Sequence, residues 1–585
     1  METTEIRFHE ITLADKAWMS EMYARDNKVA CEYTFANNFI WRKYYRGEAA
    51  EVCGCLVIRY RKGEDYWYSY PVGGGDKRTA VERLMLECRE NGRTLFLAPF
   101  DEADRRDLYT WFPGHFFIEP DRDDYDYVYD REKLATLAGK KLHGKRNHIA
   151  RFKDGGEWSY EPMTAENLEE CRTMTYRWIR MREEKWNGEM EEEILVLHEA
   201  FDHMEELGLV GGVLRREGEI VAFTMGEPMN DEMFVVHFEK AFPDMQGAYP
   251  MINQQFVLHA CEGYQYINRE EDTGDPGLRK AKLSYYPEIL LKKYYAMESE
   301  VVCADSVQDG EQILKIWQTC FGDEETYIRF YLEHRMTEDN MLVIYQDGRA
   351  VSMASFLPAQ YLCNGEYLDA RYVYAVATLP EYRGRGYAGR ILAFAQKKYG
   401  VPLLLAPAEE SLVSYYEKRG FCRVFSDSRR SFGGSMAAQE LPETTEASFA
   451  VEPVTAQEYV RIRDRKYERE GYVRWNEEAV QYAMDVNACC GGETVALVYG
   501  DVTGRQEQAG RAEKDILMYR REGNVLVIQE TTIDSDRLPD VLRYLLLETG
   551  ANEACYGQMA GMLWLPAAMT QNKVPADGYL ALTLE

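Results

Sequence analysis

One pattern recurs along this chain and limits what it can fold into: a short β-rich run, a loop, an amphipathic helix and a second short strand. In the first copy, residues 66–72 read as an aromatic strand and Gly73, Gly74 and Gly75 as a loop. Residues 78–91 then read as a helix with Val81, Leu84, Met85 and Cys88 on one face, and 94–98 as the next strand. The second copy has strands at 233–238 and 264–268 around a loop at 242–249 and a helix at 251–262. The third runs from 373 to 406, and the fourth has a strand at 525–532 and a helix at 537–548. Strands alternating with helices at this spacing predict an α/β chain of mixed α+β sheets. The copies divide the 585 residues into modules at 1–153, 154–299, 300–439 and 446–585, with a polar linker at 440–448.

Chemistry concentrates in the third copy. Val373 to Ala377 is a buried-strand run, and Pro380 ends it because proline cannot donate to a sheet ladder. Arg383, Gly384, Arg385 and Gly386 form the loop. Tyr387, Ala388, Ile391, Leu392, Ala395 and Tyr399 then mark one face of a helix, with Gly400 as its stop. Glycines let the backbone approach a phosphate, the first helical turn offers unpaired N–H groups, and the two arginines add full charges. This combination fits a pyrophosphate. The triple glycine of the first copy has no arginine at the matching offset and reads as a plain loop. The second copy lacks the arginine–glycine spacing, and the loop of the fourth has no glycine.

The spacing Arg383-x-x-Gly386-x-Ala388, directly after a strand and before an amphipathic helix, resembles the acetyl-CoA pyrophosphate loop of the GNAT superfamily of N-acetyltransferases. The resemblance implies tandem acyl-CoA N-acyltransferase (GNAT-like) modules, of which the third alone keeps the donor signature. It implies acetyl-CoA as acyl-donor substrate, held by Arg383, Gly384, Arg385, Gly386, Tyr387, Ala388 and Gly389. Backbone N–H groups of Val376, Ala377 and Thr378 would take the acetyl carbonyl and the pantetheine arm. Tyr416-Glu417-Lys418-Arg419-Gly420-Phe421 matches the family's general-acid stretch and makes Tyr416 the donor of a proton to the leaving thiolate. Tyr415 is adjacent, and in a helix only one of the two can face the thioester. The general base stays open among Glu381, Glu409, Glu410 and a water chain. The acceptor is a small-molecule or peptide amine. An active GNAT module paired with a degenerate one also resembles the enhanced-intracellular-survival acetyltransferases. Their terminal-carboxylate base does not transfer to Glu585, because the chain after the linker has no room for their extra domain.

A second resemblance covers 1–298. The basic stretch from Lys140 to Lys153 and the two segments 266–274 and 277–287 look like the soluble C-terminal domain of phosphatidylglycerol lysyltransferase. That family is a tandem GNAT-like pair using aminoacyl-tRNA, so the patch could take a tRNA end. Equally, Lys141, Lys145 and Arg146 could be one solvated helix face. Glu270, Glu271 and Asp272, followed by Arg279, Lys280 and Lys282, read either as a site for a zwitterionic group or as ion pairs fixing a loop.

The remaining composition narrows the class. A net charge of −30 argues against general adhesion to nucleic acid or anionic membrane. The acidic start is unlike a signal peptide, and no apolar run is long enough to span a bilayer. No histidine or cysteine spacing makes a metal site, and the thirteen cysteines read as buried reduced thiols. The expectation is a cytoplasmic acetyltransferase without membrane insertion. The alternative is an aminoacyl-tRNA-dependent aminoacyltransferase or a tRNA-binding protein with a regulatory GNAT module.

Overall fold

The computed structural model describes residues 6–181, 188–433, 449–499, 513–558, 560–569 and 578–580. The stretch expected as a linker at 440–448 and the terminal Glu585 lie outside them. The chain forms two compact units, 1–300 and 301–585. Among the described residues each unit holds two mixed sheets, seven strands and seven in the first, eight and six in the second.

Five strands organise the first unit: β1 (Asp126–Asp130), β2 (Met233–Ala241), β3 (Tyr266–Asn268), β4 (Ile289–Leu291) and β5 (Tyr294–Glu298). The two sheets exchange strands. β1 lies in the second sheet between β3 and β4, although it precedes the divide expected after residue 153. β5, the last strand of the unit, lies in the first sheet between Phe96–Phe100 and Phe116–Pro120. No single cut in the sequence therefore separates the two sheets. Among the described residues the unit holds two apolar cores, one joining buried residues from Ile11 to Tyr285 and a second from Ala50 to Ala296.

The exchange is pinned by a buried charge cluster at the two crossing points. Lys293, between β4 and β5, is 1% exposed. Its ammonium lies 2.7 Å from Asp126 at the start of β1, 2.6 Å from Glu32 and 3.8 Å from Glu271. Asp126 also accepts from the Cys31 amide and from Asn268 of β3, each at 2.8 Å. Burial disfavours the charged Lys293, but Asp126, Cys31, Glu32 and Glu271 more than offset it and hold its pKa well above the ordinary value.

The cluster makes stability depend on pH through one group. Burial, then Asp126 and Glu271, push the Glu32 carboxyl up from 4.5 to about 8 against the pull of Lys293. The folded state therefore holds the Glu32 proton after the unfolded chain has lost it, and stability falls as pH rises from about 4.5 to about 8. Glu32→Gln is expected to remove that fall. In urea melts across this range, its stability relative to the native protein should grow with pH and level off above about 8. A difference that does not change with pH contradicts the assignment.

In the second unit the relevant strands are β6 (Arg349–Cys363), β7 (Glu366–Thr378), β8 (Leu403–Leu405) and β9 (Gly561–Trp564). Here too a late strand inserts: β9 sits between β8 and Cys422–Phe425, while Arg430–Gly433 joins the other sheet. The helices used below are α1 (His143–Asp154), α2 (Ala248–His259), α3 (Ser306–Phe321), α4 (Glu325–Arg335), α5 (Tyr387–Tyr399) and α6 (Glu410–Glu417). α5 buries Tyr387, Ile391, Leu392 and Ala395. It ends at Gly400, whose φ of 61° is a left-handed turn that glycine accepts without strain. Asp305 caps α3 by accepting from the amides of Val307 and Gln308.

None of the thirteen cysteines is in a disulfide. The expectation of burial is corrected for Cys53, Cys422, Cys489 and Cys490, which are exposed on turns, edges and a helix end. Among the described residues, no helix is long and apolar enough to cross a membrane.

Candidate functional site

The site in the second unit begins where two parallel strands part. β7 and β8 pair only at Arg371–Leu403 and Tyr372–Leu404. β6 stays paired with β7 as far as Thr378, with a shift of register between Met353 and Ser355. Ala375 takes up that shift with a left-handed φ of 52°. From Val373 to Thr378 the edge of β7 that faces β8 thus has no strand partner among the described residues. Tyr374, Ala375, Val376 and Thr378 are half-buried there, while Ala377 is buried. Ser352 donates from Oγ to the Ala377 carbonyl at 2.8 Å, which fixes the end of the strand.

A helix N-terminus follows the parted strands. After a turn at Pro380–Tyr382, Gly384 and Gly386 have φ of 79° and 82°. Gly386 is the residue before α5, and no side chain caps the helix there. A Cβ on Gly384 or Gly386 would meet nothing within 4 Å, so the loop is open in front of the first helical turn. Arg383, Arg385 and Arg390 are exposed around it. Arg383 donates from Nε to the Thr378 carbonyl at 3.0 Å and so ties the loop to the strand end. Arg385 and Arg390 lie over the rings of Tyr382 and Tyr387, at 5.0 and 4.5 Å. Tyr387 is buried, Ala388 half-buried, and Gly389 lets α5 approach the Arg419 guanidinium, which a Cβ would strike. Unpaired N–H groups, the positive end of a 13-residue helix and three guanidiniums in one place can hold a phosphate group.

Tyr416 lies on α6, the helix that follows β8, and is 7% exposed. Its ring packs on Phe421 at 5.8 Å, and burial pushes its pKa up to about 12, so the hydroxyl keeps its proton. Tyr415 instead stacks under Arg419 at 3.5 Å. The three candidate bases are engaged elsewhere: Glu381 pairs with Arg349 at 3.1 Å, Glu409 accepts from Ser411, and Glu410 pairs with Arg423 at 2.6 Å.

The corresponding place in the first unit is built differently. β2 and β3 pair from Met233–Tyr266 to Val235–Asn268, and the opening beyond is bridged by side chains. Glu239 pairs with Arg269 at 3.0 Å and His237 with Glu270 at 2.7 Å. His237 also meets Glu227 at 3.1 Å. Burial disfavours its charge, but the two carboxylates raise its pKa to about 10. Gly247 starts α2, and a Cβ there would collide with the His148 carbonyl of α1. α1 thus covers the helix end that in the second unit stays open. Lys145 of α1 lies 3.8 Å over Tyr285, and burial with the nearby Arg269 lowers its pKa to about 8. Arg146 is spent on the carbonyls of Leu137 and Gly139, and Lys141 lies over Tyr286.

The acidic–basic segment is largely a framework. Asp272 has a fully buried side chain and accepts from Arg279, Tyr127 and Arg122, which hold its carboxyl well below the usual range against the cost of burial. Lys282 donates to the carbonyls of Arg269, Glu270 and Glu271, where Glu270 has a φ of 55°. Glu270 pairs with His237 and Glu271 joins the Lys293 cluster instead. The triple glycine is also filled from within: Asp26 accepts from the Gly73 amide and pairs with Lys77, while Gly75 is pressed on Gly54.

Cys31, Glu32 and Glu271 come within metal-ligand range of one another. Sequence spacing could not show this, with 240 positions between Cys31 and Glu271. The Lys293 ammonium already supplies the positive charge of that cluster.

Comparison with known proteins agrees with this division. Residues 24–297 match the family model described as phosphatidylglycerol lysyltransferase, C-terminal. Residues 306–424 match that of the acetyltransferase (GNAT) domain. The first half thus resembles the lysyltransferase C-terminal family, and the second resembles a GNAT domain. The chain is 24% identical over 184 residues to an uncharacterized protein of Mycoplasmoides gallisepticum, 30% of this chain and 56% of the relative. It thus spans about 56% of the length of that curated relative. Among solved structures, a Bacteroides thetaiotaomicron protein of unknown function is 38% identical over its whole length and 50% of this chain, with a TM-score of 0.49. The C-terminal domain of a putative lysylphosphatidylglycerol synthetase from Agrobacterium fabrum is 14% identical, covering 49% of this chain and 92% of that one, with a TM-score of 0.38. A GCN5-related N-acetyltransferase from Anabaena variabilis is 16% identical over 47% and 74%, with a TM-score of 0.37. The fold is mixed α/β, with a lysyltransferase C-terminal match in the first half and a GNAT-domain match in the second.

Proposed function

We propose that the GNAT half transfers an acetyl group from acetyl-CoA to an amine. The observation that carries this reading is the parted β7–β8 pair leading straight into an open, arginine-ringed helix N-terminus. Among the four parallel strand–helix steps, the two in the first unit have this opening filled by Asp26 or covered by α1. Acetyl-CoA is a substrate here. Its pyrophosphate would lie against Arg383, Gly384, Arg385, Gly386, Tyr387 and Ala388, and its pantetheine arm along Val376, Ala377 and Thr378. The free strand edge would orient the thioester, and Tyr416 would protonate the leaving thiolate and be reset by solvent.

Tyr416→Phe is expected to lower kcat about 100-fold while leaving acetyl-CoA affinity unchanged. Thiol release with a saturating amine, beside calorimetric titration of acetyl-CoA, checks it. Unchanged kcat removes Tyr416 from the mechanism and leaves Tyr415 as the candidate.

A second reading concerns the lysyltransferase-like half. Where its strands β2 and β3 part stand Lys145, Arg269, His237, Glu239 and Glu270. Such a set suits a zwitterionic aminoacyl group and the phosphates of a tRNA end, with a lipid or a soluble amine as acceptor. Both donors belong to the cytoplasm, and no spanning helix is required by either reading. Salt-sensitive tRNA binding lost on Lys145→Ala would support it.

A further inference from the structure

Near its end, the first unit presents apolar side chains to water. Leu283, Tyr286, Ile289 and Leu290 are 40, 49, 42 and 39% exposed within the stretch 283–290. Leu283 ends the helix Pro276–Leu283, and Ile289 and Leu290 open β4. β4 is the outermost strand of its sheet: it pairs with β1 on one side, and its other edge has no strand partner among the described residues. Neighbouring residues of a strand point to opposite faces, so the exposure of both Ile289 and Leu290 leaves both faces of this end uncovered. An apolar edge of this kind is either a docking surface or a liability.

The ridge is held from beneath. The Tyr129 hydroxyl donates to the Lys282 carbonyl at 2.8 Å, Lys282 donates to the Arg269 carbonyl at 2.6 Å, and Arg279 pairs with Asp272 at 2.6 Å. Tyr285 is buried with its ring edge-on to Tyr129, whereas Tyr286 turns outward with a φ of 56°. The exposed side chains therefore stand on an anchored base.

Around the ridge the charge runs against that of the whole chain. Residues 276–292 hold four Lys or Arg and one acidic residue, and 140–153 hold six and none, in a chain of net charge −30. Lys140, Lys141, Lys280 and Lys292 are exposed. The Lys141 ammonium lies 5.1 Å over the Tyr286 ring, which joins the two stretches into one surface. Among the described residues, no carboxylate pairs with Lys140, Lys141 or Lys280.

We infer that this face docks on an anionic lipid bilayer, with the apolar ridge entering the boundary between head groups and acyl chains and the lysines meeting the head-group phosphates. The inference stands apart from both transfer readings. RNA would use the lysines but gain nothing from Leu283, Ile289 and Leu290. A second copy pairing symmetrically through the ridge would set the same lysines against each other. A bilayer offers both parts: the aliphatic side chains leave water, the tyrosine ring sits where one end is apolar and the other wet, and the lysines keep their heads among phosphates. The acidic remainder of the chain is repelled by the same surface, so contact is confined to this face and weakens with salt.

The test is co-sedimentation of the full chain with vesicles of phosphatidylcholine, alone or with about 30 mol% phosphatidylglycerol or phosphatidylserine. The native protein should bind both anionic mixtures at least about tenfold more tightly than phosphatidylcholine alone, and should be released as salt is raised. Leu283→Ser with Ile289→Ser and Leu290→Ser should weaken binding about tenfold, and so should Lys140→Gln with Lys141→Gln, each at an unchanged melting temperature. Leu547→Ser, at a leucine 67% exposed in the second unit, should leave binding unchanged. The lysine variant, altered only at exposed positions, carries the test should the ridge variant lose melting temperature. No binding of the native protein to either anionic mixture overturns the proposal, as does equal binding by the native protein and both variants. A ridge variant that keeps its vesicle binding and loses tRNA binding or self-association instead gives the face to that partner and overturns it too.

Discussion

Lys293→Met is expected to destabilise the first unit by about 3–5 kcal/mol at neutral pH. Methionine keeps most of the volume, so the effect is electrostatic. Without the ammonium, Asp126, which is fully buried, and Glu32 face each other across the two strand crossings. The bonds to Asp126 from the Cys31 amide, the Cys31 thiol and Asn268 remain while the Lys293 contact is lost, and a buried carboxylate without its cation is among the costlier defects a core can hold. Urea unfolding should show the loss in the transition of the first unit alone. Hydrogen exchange should quicken at β1 and β5, which the cluster ties together. Adding Asp126→Asn should recover part of the loss, since the two positions share one interaction. Equal stability of Lys293→Met and the native protein contradicts the role given to the cluster.

That cluster also marks where sequence reading stops. The Arg383–Gly389 loop was legible because everything it needs is local: a strand, two glycines, arginines and one helical turn within about twenty residues. Helix α5 keeps its expected bounds for the same reason, since its face and its glycine stop are written in consecutive residues. Lys293 and Asp126 are far apart in the chain and meet only because the sheets exchange strands, which no local pattern encodes. The hydrogen bond between Tyr374 and Tyr327 of α4 was hidden in the same way. Tyr374 reads as one more strand aromatic until α4 is placed against it. The second copy shows the converse. Its loop lacked the arginine–glycine spacing, and the structure adds the steric reason for its silence, the α1 backbone lying across Gly247. The segment 270–282 looked equally like a site and like a scaffold. Asp272 with Arg279 proves to be scaffold, while Glu270 pairs with His237 beyond the end of the β2–β3 pairing.

The loop itself supports the second large effect. Arg383→Ala with Gly386→Asp is expected to weaken acetyl-CoA binding at least about 100-fold. Arg383 supplies a charge and ties the loop to Thr378. Gly386 has a φ of 82°, which an aspartate adopts only with strain, and the new carboxylate would stand at the positive end of α5 facing a phosphate. The substitutions lie at exposed positions with open space around Gly386, so the unliganded protein should stay folded, its melting temperature lowered only by the strain at Gly386 and the lost Arg383 tie.

Calorimetric titration of acetyl-CoA into the native protein and into this double variant tests the central claim most directly. The account predicts one site per chain in the native protein, and heat lost to the baseline in the variant. Absence of binding to the native protein, or equal binding to both, would contradict it.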